Sequence, residues 1–138
     1  MIRQDASPNA IAGGFAIGFF ATFYPVPFVD TLVSLAIAWL LRRNKAACLI
    51  GNNFILLIYP VIPLLLTAEV LTGRFLIHSP AIVPPGNTPL LTWLKHQTLP
   101  NLEAWLLGGL VLGIPSALFS FWLVREAARK WQREKEKA

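Results

Sequence analysis

The feature that most constrains this chain is an apolar stretch broken in its middle. Residues 10–24 and 28–41 carry almost no charge, and Pro25-Val26-Pro27 stands between them. Proline lacks a backbone N–H and disfavours helical backbone at the residue before it, so the stretch is predicted to form two helical arms joined by a turn. An arm of about 15 residues rises only about 22 Å, whereas the hydrocarbon core of a bilayer is about 30 Å thick. Such a hairpin either re-enters and leaves on one side or spans thinly as two short helices. Both arrangements return the Arg42-Arg43-Asn44-Lys45 loop to the side of Arg3. Irregular backbone at membrane depth needs cover from protein or a watery cavity, so the re-entrant form implies packed neighbours or partner subunits.

That the setting is a bilayer follows from composition: 55% of the residues are hydrophobic and 14% charged, with a mean hydropathy of +0.57, outside the range of soluble domains. The net charge of +5 is clustered. Arg42, Arg43 and Lys45 form one group; Arg125, Arg129, Lys130, Arg133, Lys135 and Lys137 form another, each at the end of an apolar run. This is the pattern of positive-inside anchoring and of attraction to anionic lipid head groups, worth about 1 kcal/mol per basic side chain near the surface. No exposed aromatics interleave with the basic residues as a nucleic-acid surface would require, so no nucleic-acid partner is expected. Ten Lys and Arg fall on the side shared by both termini and the 42–45 loop, against Arg74 and Lys95 on the other. The expected location is the inner (cytoplasmic) membrane of a bacterium, with both termini cytoplasmic.

Elsewhere the chain reads as follows. Ser7-Pro8 is a helix start, the serine oxygen accepting an orphan N–H and the proline standing where its own is not needed. Residues 46–72 are long enough to cross fully, with Pro60 and Pro63 as kink points and Gly73-Arg74 as the end. Residues 79–100 form a Pro/Gly/Thr-rich connection that includes a short amphipathic, interfacial piece from Thr88. Asn101 caps a last crossing over 102–124. The expected fold is a single all-α integral membrane domain over 1–138. It comprises an N-terminal Pro-x-Pro helical hairpin, two transmembrane helices and a basic helical tail over 125–138.

Polar residues placed in apolar helices are the functional candidates. Asp30 follows the turn, and a carboxylate there costs about 2.5–3.5 kcal/mol near the bilayer centre on insertion scales. Together with Ser34, one turn on, it makes a polar stripe facing a cavity or partner; the alternative is an aspartate favoured by the helix dipole in the first turn of the second arm. Asn52 and Asn53 call for interhelical hydrogen bonds or orient a substrate. Pro25 and Pro27 set the break. Gly14 with Gly18, and Gly109 with Gly113, lie one turn apart and let another helix approach closely, within the fold or in a homo-oligomer. Glu69 is read as reaching the interface, within range of Arg74. Cys48 is alone, and His78 and His96 are not spaced as metal ligands. Neither a nucleophile elbow, a phosphate-binding glycine loop nor a zinc-protease helix motif occurs, so no enzyme, metal or cofactor is expected.

The run Ser7-Pro8, Ile11-Ala12, Phe15-Ala16-Ile17-Gly18, Phe20, Pro25-x-Pro27, Thr31-Leu32, Leu35-Ala36, Arg42, Asn44 and Gly51 resembles the bacterial domain-of-unknown-function family numbered two thousand and sixty-two. The likeness extends through Gly73 and, more loosely, through Gly108-Gly109 and the basic tail. The family commonly follows Pro-x-Pro with Gly-x-Gln, where Phe28 and Asp30 stand here, and has Thr-Trp and Asn-Pro in the segment that here holds Asn52-Asn53 and Leu56-Leu57. The resemblance implies a bacterial inner-membrane protein, and similar domains accompany glycosyltransferases. Two functions are therefore expected in order: transport-type handling of an amphiphilic or lipid-linked substrate, or an accessory subunit of a membrane glycosyltransferase-type complex docked through its glycine faces.

Overall fold

The computed structural model describes residues 7–24, 28–54, 61–78 and 102–137, and among these the regular structure is all helical, with no strand. Helix α1 spans Pro8–Ala21, α2 Val29–Leu40, α3 Lys45–Asn53, α4 Val61–Ile77 and α5 Leu102–Lys137. The Ser7 hydroxyl accepts the Ala10 N–H at 3.1 Å and Pro8 opens the helix, so α1 starts where its cap residue predicts. Asn44 caps α3 in the same way, accepting the Ala47 N–H at 2.8 Å.

Helix α1 is the hub, packing against α2, α3 and α5, while α4 packs on α5. Small residues make this possible. A Cβ on Gly14 would strike the Asn44 backbone, and one on Gly18 would strike the backbone of Cys48 and Asn52, so α1 and α3 lie parallel with their main chains nearly in contact. A Cβ on Gly109 would meet the Tyr24 ring at 2.9 Å, and one on Gly113 the Phe20 ring at 2.9 Å; α5 therefore runs antiparallel to α1. Gly73 faces the Ala104 backbone and Gly108 the Glu69 backbone, a reciprocal four-residue step that sets α4 antiparallel to α5.

These registers bring the basic groups together. The Asn44 N–H bonds the Ala10 carbonyl at 3.1 Å and Arg43 Nη1 donates to the Asn9 carbonyl at 3.2 Å, so the 42–45 turn abuts the start of α1. Helix α5 descends toward that same end, and its continuation past Val124 carries the second basic group in unbroken helix to Lys137. The opposite end holds Tyr24, Phe28 and the end of α4.

By length and composition α5 is the one described helix able to cross a membrane. The stretch predicted to cross at 46–72 is divided, among the described residues, between α3 and α4, which run in the same direction; Pro60 and the rest of 55–60 lie outside those residues. Pro63 falls in the first turn of α4, where a missing N–H goes unnoticed. Gly73-Arg74 does not end that helix, which continues to Ile77 with both residues buried: the glycine serves close approach to α5 rather than a C-terminal turn. Pro25 and Pro27, the 79–100 connection with His96, and the Asn101 cap also lie outside the described residues.

Candidate functional site

Helices α2 and α5 flank α1 without closing on each other, and between them lies a cleft of about 560 Å³. Its walls are aliphatic and aromatic: Ile17 and Phe20 from α1, Val33 and Ile37 from α2, Leu118 and Phe121 from α5. Three residues bring polar atoms, namely Tyr24, Asp30 and Ser34. Tyr24 is anchored by donating its hydroxyl to the Leu106 carbonyl at 2.9 Å.

Asp30 sits in the first turn of α2, where a carboxylate complements exposed N–H groups, and it also lines the cleft. Both placements foreseen for it thus occupy one position. Its Oδ1 accepts the Thr31 N–H at 2.7 Å and the Thr31 hydroxyl at 3.3 Å. The Thr31 hydroxyl in turn accepts Asn52 Nδ2 at 2.7 Å, and the Thr31 carbonyl accepts the Ser34 hydroxyl at 3.0 Å. A relay therefore runs from Asn52 on α3 through Thr31 to Asp30, holding the start of α2 against α3. Asn52 is buried, and its Oδ1 has no hydrogen-bond partner among the described residues. Ser34, also buried, stands beside the Cys48 thiol.

The structure brings Asp30 and Ser34 onto one cleft wall and sets Asn52 behind them; Asn53 goes elsewhere, donating to the Leu49 carbonyl of its own helix at 2.8 Å in an exposed position. Gly14, Gly18, Gly109 and Gly113 are all taken up by contacts within the chain. Thr31, the node of the relay, is visible in sequence only as a hydroxyl one turn before Leu35. Tyr24 carries no signal beyond its place at the end of an apolar run.

Glu69 departs most from expectation. Far from reaching an interface it is 0% exposed, because the Glu69 backbone lies against Gly108 and its side chain is enclosed with Leu66, Val70 and Trp105. Its Oε2 accepts the Trp105 indole N–H at 2.7 Å, and its Oε1 has no hydrogen-bond partner among the described residues. The Tyr24 ring packs edge-on against Trp105 at 5.7 Å, so this buried group adjoins one end of the cleft. The helical stripe Leu66, Glu69, Val70, Gly73 was the available sign that Glu69 shares the packed face. No three His, Cys, Asp or Glu among the described residues are grouped to hold a metal ion.

The chain matches, over residues 1–137, the family described as "Uncharacterized protein conserved in bacteria (DUF2062)". It belongs to that family. No curated protein and no solved structure matches it. Thr31, the node of the relay, and Gly51, next to Asn52, lie among the residues that carried the resemblance.

Proposed function

We propose that this chain is a small multi-pass protein of the bacterial inner membrane that binds and moves or presents an amphiphilic or lipid-linked substrate through the cleft between α1, α2 and α5. The observation that carries the reading is the cleft itself: about 560 Å³, within the range of small-molecule sites, and apolar except for the polar atoms of Tyr24, Asp30 and Ser34. A soluble protein would close or cover such a surface. Here Leu32, Trp39 and Leu40 of α2 and Leu118 and Phe119 of α5 are also exposed, as lipid contact would require.

The two arms suit a re-entrant hairpin. At 14 and 12 residues they rise about 21 and 18 Å, short of the about 30 Å core. The α5 helix supplies a full crossing, and the shared basic end is assigned to the cytoplasmic surface and its anionic lipids. In this arrangement a substrate chain enters the cleft laterally from lipid and its polar group comes to rest beside Asp30.

The accessory-subunit reading relied on free glycine faces, and the four glycines are already occupied within the chain.

The test is a cleft-filling variant. Ala117→Trp places an indole where α5 lines the cleft, and saturable binding of an alkyl amphiphile by the protein in nanodiscs should be lost while the helical circular dichroism is kept. Binding that persists in the filled variant removes the cleft as the site. Independently, Phe28→Cys in a Cys48→Ala background reports the hairpin: ready labelling of whole cells by an impermeant maleimide would show that the turn reaches the external surface, against re-entry.

A further inference from the structure

The cleft carries charge of one sign at one end. Asp30 Oδ1 is held by Thr31, while Oδ2 takes no hydrogen bond among the described residues and no basic side chain among them is paired with the carboxylate. The basic groups of the described chain near α1 and α2 lie at the other end, beyond the C-terminal turn of α2, about 18 Å away along the helix axis. Aromatic rings of Phe20 and Tyr24 stand on the adjoining wall. Between the two ends, Asp30 to Ile37 offers about 10 Å of apolar surface.

Resting on the amphiphile-binding reading, we infer that the cleft selects an amphiphile whose polar head is a protonated amine. An ammonium presents N–H donors to Oδ2, which has no partner among the described residues, and ring faces favour a cation nearby. A phosphate or carboxylate head in the same position faces like charge in an environment that screens it poorly. The hydrocarbon tail then lies along Ile17, Val33, Ile37 and Leu118, pointing toward the basic end. Asp30 is the specificity-determining group, and the relay from Asn52 through Thr31 is what holds it at the cleft mouth: Thr31 occupies Oδ1 and leaves Oδ2 for the ligand.

The experiment measures retention of three labelled amphiphiles with the same twelve-carbon chain by the full chain in nanodiscs, corrected for empty nanodiscs. One head is a primary ammonium, one a phosphate and one a neutral glucoside. Dodecylammonium should bind at least about ten-fold more tightly than dodecyl phosphate, a difference of about 1.4 kcal/mol. Asp30→Asn should bring that ratio to within about two-fold of one, and Asp30→Glu should keep the preference for ammonium, which separates loss of charge from loss of fold. Equal affinities, or a preference for phosphate, with all binding abolished by Ala117→Trp, overturn the head assignment and leave the cleft reading standing. Saturable binding of none of the three, or binding indifferent to Ala117→Trp, overturns the cleft reading itself.

Discussion

The hydrogen bond from Trp105 to Glu69 offers the sharpest test of how α4 and α5 are held together. Trp105→Phe removes the donor and keeps an aromatic ring. The carboxyl group is 0% exposed and its other oxygen has no partner among the described residues, so the side chain loses the one hydrogen bond it is shown to make. A stranded buried polar group costs about 1–3 kcal/mol. Glu69→Leu strands the indole N–H instead, at a cost of similar origin. The double variant strands neither, because both partners are replaced by apolar groups, and the small gap left by the lost indole atoms enters Trp105→Phe and the double variant alike. The two single effects should therefore exceed the effect of the double variant by about 1–2 kcal/mol. Unfolding by sodium dodecyl sulfate in mixed micelles, followed by helical circular dichroism, measures all four species without relying on tryptophan emission. Additivity to within about 0.5 kcal/mol would refute the claim that this bond ties the two helices.

Three other outcomes follow from the same geometry. Gly18→Ala should destabilise by about 1–3 kcal/mol in that assay, since its Cβ meets backbone of α3, whereas Gly13→Ala, which meets the movable Arg43 side chain at 2.8 Å, should be neutral or stabilising through better helix propensity, by up to about 1 kcal/mol. Thr31→Val keeps the shape but leaves Asn52 without its partner, and should cost about 1–3 kcal/mol; a change below about 0.5 kcal/mol would show that the relay is not formed. Phe28 has φ 67° and is 84% exposed, so Phe28→Gly gives up little packing while removing strain of about 1–3 kcal/mol, offset by the chain entropy of glycine; net stabilisation of about 1 kcal/mol is expected, and destabilisation would contradict the backbone conformation.

Local chemistry was readable from the sequence and helix partnership was not. Ser7-Pro8 marks the start of α1 because capping needs only adjacent residues, and the Asn44 cap marks the start of α3 for the same reason. Asp30 and Ser34 share the cleft wall because residues four apart share a helix face. Glu69 was misplaced because its burial depends on Gly108, far along the chain, letting another main chain lie over it. Gly73 was read as a stop for the same reason: glycine ends helices and also admits neighbours, and only the neighbour, Ala104, decides between them. The cleft has no signature in any single segment, since the wall that completes it, α5, lies far along the chain from α1 and α2. Phe28 is a further case. Its φ of 67° is a conformation that suits glycine, and a bulky aromatic holds it here, which nothing in the local sequence announces.

The position of α1 as hub has a consequence in time. A ribosome releases α1 well before α5, yet they seal each other: the Tyr24 to Leu106 bond joins residues 82 apart, and Gly109 and Gly113 close over Tyr24 and Phe20. Until α5 arrives, one flank of α1 stands bare. A chain interrupted before residue 102 leaves the Phe20 and Tyr24 face of α1 open to adventitious neighbours and to the proteases that survey unfinished products. Burial of the first helix therefore waits on synthesis of α5.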